Sequence, residues 1–288
     1  KVVVGYTAGA KVGTISGTGI SFGSQTAFIA SPASRTSMVF DSNSNKVVIS
    51  SRGQSADKSW SAVGTVSGTS ISFGTAVQIG TSTSNAYINS TFDSNSNKVV
   101  VAFGDGANSN RGTAIVGTVN GTAISFGSEV VFNTSEVAIT QNSSFDTESN
   151  KIVLAYKDKD NSNTLTFIEG TVSGTSISFG SKQAATGVVG GNTIGTVFDS
   201  NSKRTVSSTT DNPGKTVVYK SDTVATTRAE VASGSNAVID IGSAISTNQL
   251  SLTAGQQYFV QTDGTLGLTA GSPSVIAGTA VSATDIIV

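Results

Sequence analysis

The sequence predicts an all-β protein: a β-propeller of about four to five four-stranded antiparallel blades, followed by a small β-module. Three observations predict it. The string FDSNSNKVV stands at 40–48 and again at 92–100, with looser copies FDTESNKIV from Phe145 and FDSNSKRTV from Phe198. A second motif, SGTGISFG, SGTSISFG, NGTAISFG and SGTSISFG, ends at Gly23, Gly74, Gly127 and Gly180. Its phenylalanines (Phe22, Phe73, Phe126, Phe179) and those of the first motif (Phe40, Phe92, Phe145, Phe198) recur every 51 to 53 residues in one register, which is the mark of a structural repeat. The third observation is composition. Only 12% of residues are charged, and Gly (32 residues), Ser, Thr and β-branched residues are abundant, as in short strands joined by many turns.

The third copy shows the elements in order. AYINSTF (86–92) alternates and reads as strand A. DSNSN is a turn. KVVVAF (98–103) is an apolar run, a buried strand B, and GDGANSNRG is a loop. TAIVGTV (113–119) is strand C, and Asn120-Gly121 is a hairpin signal. TAISFGSEVVF (122–132) is strand D, bent at Gly127.

A lone twisted meander cannot bury both faces, whereas blades set around an axis bury each face against the next. The recurring phenylalanines are expected to fill equivalent positions between blades. The chain opens with KVVVGY, a strand B, so the first copy lacks strand A. The last copy supplies TIGTVF, KRTVSS and KTVVYK before the pattern ends. Its strand A is a candidate to complete the first blade and close the ring; further blades upstream in a longer parent chain are the alternative. A wide β-solenoid is the alternative architecture. The expected division is a repeat domain over 1–222 and a C-terminal β-module, a connector or oligomerising tip, over 223–288.

DSNSN has two readings. It fits the start of an acidic calcium loop, but lacks the following Gly and the closing bidentate Glu. Asp and Asn also suit tight turns, because they bond their own backbone and tolerate positive φ. The turn is favoured, with calcium as the alternative; Glu148 and Lys203 in the later copies weigh against a metal.

The meander places the A–B and C–D turns at one end, where the copies scarcely differ. The B–C loops and D–A connections share the other end and differ strongly, as binding loops on a rigid scaffold do. The candidate ligand-binding residues are there: Arg52, Asp57 and Trp60; Asp105, Asn108 and Arg111; Asp158, Asp160 and Asn163. A flat aromatic with planar donors and acceptors suits sugar hydroxyls.

Composition excludes several classes. Without Cys or His there is no thiolate chemistry, His-based triad or ordinary zinc site. A net charge of −1 with no basic stripe gives nucleic-acid binding no support. No apolar run approaches the roughly 18 residues of a membrane helix. No catalytic residue, metal ligand or cofactor is expected. Glycan cleavage would need two paired carboxylates, and no motif pairs Asp57, Asp105, Asp158 or Asp160.

The last forty residues carry LTAGQQYFVQTDGTLG and AGSPSVIAGTAVSATDIIV. Gly255, Tyr258, Val260, Gln261, Asp263, Gly264, Thr265 and Leu266, then Ala277, Gly278, Ala280, Ser282, Ala283 and Thr284, match a GxxYYVQxDGTL…AGxAxSAT pattern. The segment resembles the C-terminal module of tail-fibre and related virion proteins of marine and cyanobacterial bacteriophages, and the repeats resemble repeats in such proteins. Phe259 stands where a second Tyr is common. The resemblance implies a non-enzymatic virion-surface or extracellular protein that recognises a host-surface glycan or receptor, assembles with other virion proteins and forms a homo-oligomer. The alternatives are a structural spacer without its own receptor and a glycan-cleaving appendage.

Overall fold

The computed structural model describes residues 1–6, 9–29, 33–53, 58–83, 86–210 and 214–220, then 223–227, 239–241, 245–246, 253–254, 256–260, 266–269, 276–280 and 286–287. The chain divides into two compact units, Lys1–Ser221 and Asp222–Val288.

The first unit is a β-propeller of five antiparallel blades, and the solenoid alternative does not hold. Blade 1 is β1 (Val2–Tyr6), β2 (Gly9–Ser16), β3 (Gly19–Phe22) and a short β4 (Thr26–Ala27). Blade 2 is β5 (Ala33–Asp41), β6 (Lys46–Gly53), β7 (Lys58–Ser67) and β8 (Ser70–Phe73), with β9 (Val77–Thr83) also on β7. Blade 3 is β10 (Ala86–Asp93), β11 (Lys98–Asp105), β12 (Arg111–Asn120) and β13 (Ala123–Phe126). One long strand, β14 (Val130–Asp146), pairs first with β12 and then, as strand A of blade 4, with β15 (Lys151–Asp158). β16 (Thr164–Ser173), β17 (Ser176–Phe179) and β18 (Gln183–Val189) complete blade 4. Blade 5 brings β19 (Ile194–Asp199), β20 (Arg204–Thr209) and β21 (Lys215–Lys220).

The DSNSN segments are turns. Asp93 accepts the backbone N–H groups of Asn95 (2.9 Å) and Ser96 (3.0 Å), and Asp41 and Asp146 do the same for their own turns. Asn45, Asn97 and Asn150 close these turns at φ 54°, and Lys203 closes the fourth at 56°. The side-chain amide explains Asn at that position. Among the described residues no acidic cluster able to hold a metal occurs.

Blade-on-blade packing forms the core. Val48 and Val63 of blade 2 meet Val99, Val101, Ile115, Ile124 and Phe126 of blade 3. Val100, Ala102 and Val116 of blade 3 meet Ile152, Leu154, Ile168, Ile177 and Phe179 of blade 4. Burial of each large aliphatic side chain stabilises by roughly 1.5–3 kcal/mol. Gly64, Gly117 and Gly170 lie under Ile71/Phe73, Ile124/Phe126 and Ile177/Phe179; a Cβ there would strike both side chains. A second close approach crosses between blades. A Cβ at Gly23, Gly74 or Gly127 would overlap the carbonyl oxygen of Thr69, Thr122 or Thr175 in the next blade's C–D turn. Gly64, Gly117 and Gly170 in strand C and the motif glycines Gly23, Gly74 and Gly127 are therefore packing requirements.

The A strands are tied side by side through polar groups. The Ser90 N–H donates to Ser37 Oγ (2.9 Å), Ser143 Oγ bonds both Asn89 Oδ1 and the Thr91 hydroxyl, and Gln141 Nε2 donates to the Tyr87 carbonyl (2.9 Å). These bonds explain the Ser, Thr and Asn alternating with apolar residues in strand A.

Two of the recurring phenylalanines depart from expectation. Phe22 and Phe40 are exposed, whereas Phe92, Phe126, Phe145 and Phe179 pack against core clusters. Phe73, Phe126 and Phe179 of the D strands each pack backward onto the preceding blade. Phe40 borders a cleft of about 590 Å³, lined also by Val3, Met38, Val39, Val47 and Val66, beside the edge of β1 where complete blades carry strand A. β19 does not fill that place: it pairs with β20 in its own blade.

In the second unit β22 (Thr223–Thr227) pairs with β23 (Ile239–Ile241). β24 (Ile245–Ser246), β25 (Gln257–Val260), β26 (Leu266–Gly267), β27 (Ile276–Ala280) and β28 (Ile286–Ile287) form a sheet in the order β24-β28-β27-β25-β26. The antiparallel β25–β26 pair joins Phe259 to Gly267 and Val260 to Leu266.

Candidate functional site

In blades 3 and 4 the B–C loops and the D–A connections that follow them lie together at one end. Arg111, at the loop end of β12, pairs with Glu136, and the Gly190 N–H donates to the Asn163 carbonyl (2.8 Å).

Two of these loops share one build. Residues 105–110 read DGANSN and 158–163 read DKDNSN, a common D-x-x-N-S-N. Asp105 is buried and accepts the Ala107 N–H (3.1 Å), capping a 3-10 turn over Gly106–Asn108. Asp158 is buried and accepts the Asp160 N–H (3.3 Å), capping the turn over Lys159–Asn161. Ser109, Asn110, Ser162 and Asn163 then follow at φ 51–61°. A carboxylate accepting orphan N–H groups is the usual cap of such a turn. These loops are thus less individual than their sequences suggest: the scaffold is common, and the variation sits at 106–107 against 159–160 and at Arg111 against Thr164.

The candidate residues separate accordingly. Asp105 and Asp158 are structural caps. Asn108 faces Arg111 within one loop, Arg111 Nη1 donating to Asn108 Oδ1 (3.3 Å), while Asp160 and Asn163 are exposed in the next. Arg52 pairs across the sheet with Ser59, and Trp60 is half-buried between Ser51 and Gln78, its ring edge over Gly53. Asp57 lies outside the described residues. β9, the strand paired with Trp60 through Gln78, packs beside the 106–108 turn of the next blade.

Sequence reasoning missed three features. Lys182 Nζ reaches Asp158 Oδ2 (3.2 Å) and Asn133 Oδ1, tying blade 4 to the buried end of the preceding connection. Glu129 Oε1, at the corresponding position one repeat earlier, accepts the Thr81 N–H (2.7 Å). No local pattern announces these long-range pairs. The third is at the start of the A strands, where the ladder slips at Ser34/Ser37, Ala86/Asn89 and Ala138/Gln141 in successive blades. In the first two slips Arg35 (φ 54°) and Tyr87 (φ 57°) adopt left-handed backbone, and the Arg35 guanidinium sits 4.2 Å from the Tyr87 ring centroid. Bulges of this kind re-aim side chains.

Below the second loop Tyr156 is buried, its phenol pushed up by burial and by the Asp158 carboxylate. It is held neutral and belongs to the core, where its ring meets Phe132 edge-on.

No helix among the described residues is long and apolar enough to cross a membrane. No family model matches the chain, and no curated protein matches it. Among solved structures it is similar to the SapL1 lectin in complex with alpha methyl fucoside, at 15% identity and a TM-score of 0.47, over 76% of this chain and 71% of that one.

Proposed function

We propose that the chain is a non-enzymatic adhesion module, part of a virion tail fibre or related appendage, whose loop rim recognises a host-surface glycan. The observation that carries this reading is the pair of Asp-capped turns. Buried Asp105 and Asp158 cap the turns that carry Asn108, Arg111, Asp160 and Asn163 at the rim, with the half-buried Trp60 indole near the loop end of β7 in blade 2. Planar amides, a guanidinium and an indole serve sugar recognition at small entropic cost, because the loops are already ordered. The same geometry favours binding over cleavage: two of the four candidate carboxylates are engaged with loop amides, and Asp158 is also paired with Lys182. Weak sites repeated on one particle gain by multivalency.

The test is a glycan array followed by host-cell binding, with α-methyl fucoside as one probe. Trp60→Ala and Arg111→Ala are each expected to weaken binding about tenfold while the fold persists. Unchanged cell binding after replacement of both D-x-x-N-S-N loops and Trp60 would remove the rim from consideration. Release of reducing sugar from host envelope would replace adhesion with hydrolysis.

A further inference from the structure

Blade 1 exposes a face that every later complete blade buries. Ile20 is 49% exposed, while its equivalents Ile71, Ile124 and Ile177 are each 3% exposed. Val4 is 41% exposed, against 0% for Ile49, Val101 and Leu154 at the same register position. Phe22 and Ile15 belong to the same face, where Phe73 with Val66, Phe126 with Val119 and Phe179 with Val172 pack against core clusters. An apolar patch of this kind marks an interaction surface.

The molecule itself shows what fits there. In blades 2 and 3 the receiving surface is built from paired valines of strands B and C, Val48 with Val63 and Val100 with Val116. Blade 5 carries the same pair, Val206 with Val218, both half-buried, and beside them Val197 of its strand A is 61% exposed. So the first unit ends in an apolar donor face on blade 1 and the corresponding acceptor face on blade 5. Phe22 and Val197 are both exposed, so within the first unit blades 1 and 5 do not bury these faces against each other.

We propose that a second copy of this chain docks head to tail, the blade 1 face of one molecule (Val4, Ile15, Ile20, Phe22) on the blade 5 face (Val197, Val206, Val218) of the next. The contact repeats the geometry of the internal blade-on-blade interfaces. It is heterologous, so it propagates into a ring or an open chain. Lys11 stands where Ala62, Ile115 and Ile168 stand in later blades. That ammonium at the donor face makes the contact weaker than its internal counterparts and reversible. The inference is independent of the glycan reading.

The test is sedimentation velocity of the full chain from about 1 to 100 µM, a range set by the reversible contacts of small interfaces. Wild type is expected to gain mass with concentration. Phe22→Glu and Val197→Glu alter exposed positions on opposite faces, and circular dichroism checks that both fold. Each variant alone is expected to remain a monomer. An equimolar mixture of the two is expected to form a dimer and nothing larger, because each keeps one competent face. A wild-type monomer throughout the range overturns the proposal. So does self-association of Val197→Glu alone at the wild-type level, which would mean a symmetric contact or another surface. Failure of the mixture to dimerise when both variants fold overturns it as well.

Discussion

The Tyr219 ring lies flat on Phe167, with centroids 4.7 Å apart and planes 13° from parallel, and its hydroxyl donates to Glu169 Oε1 at 2.9 Å. Tyr219 occupies the register position that Gly64, Gly117 and Gly170 hold in blades 2 to 4. In those blades the glycine makes room for an Ile and a Phe from strand D. Where the SISF motif is missing, one tyrosine side chain fills the same space.

Tyr219→Ala is therefore expected to destabilise the first unit by about 3–5 kcal/mol, the usual cost of truncating a buried aromatic. Tyr219→Phe keeps the stack and loses one hydrogen bond, about 1 kcal/mol. Chemical denaturation followed by far-ultraviolet circular dichroism separates the two. Equal effects from both substitutions would show that the ring contact contributes little.

The glycines that end the SFG motif predict an asymmetry. Gly74→Ala and Gly127→Ala force a methyl group into a threonine carbonyl of the next blade, and overpacking of this sort costs about 1–3 kcal/mol. At Gly180 the nearest atom to such a methyl is the Glu169 carbonyl oxygen at 3.9 Å, so Gly180→Ala is expected to fall within about 0.5 kcal/mol of wild type. Thermal midpoints of the three variants check this directly.

The Asp-led turns are held by backbone amides. Asp93→Ala is expected to cost about 0.5–2 kcal/mol, as loss of a comparable cap does. Millimolar calcium or a chelator is expected to leave the melting temperature unchanged. A calcium-dependent rise in melting temperature that Asp93→Ala abolishes would restore the metal reading.

Asp199 supplies a pH test. The Ser202 hydroxyl and then the Asn201 N–H hold its carboxyl below the usual aspartate range. A carboxylate depressed in the folded state contributes stability that is present above its unfolded value and lost as pH falls through the folded one. Ser202→Ala is expected to move the Asp199 titration, followed by carboxyl-carbon NMR, upward toward 3.8. An unmoved titration would show that the hydroxyl is not the main cause.

Much of the fold is legible in the sequence because each repeat writes the same local chemistry: Asp-Asn turns, glycine hairpins and apolar B strands. Tertiary choices are less so. Arg35 and Tyr87 carry no residue-level signal for left-handed backbone, since glycine and asparagine are the types that usually mark it. Phe22 and Phe73 look equivalent in sequence but differ in burial, because a repeat motif does not state what packs against it. At the rim, Asp105 and Asp158 read in sequence as ligand groups, whereas in the structure each is buried and accepts a loop N–H. Trp60 keeps its candidacy because half of it stays open.

The Thr122 carbonyl set against Gly74, and its counterparts in neighbouring blades, has a consequence for diversification. That end of each blade behaves as a fixed hinge pin, so any gain or loss of length must appear at the opposite end. New loops can be grafted there like interchangeable cassettes without disturbing the alignment of adjacent sheets. A scaffold of this kind can alter what it touches faster than it alters its own architecture.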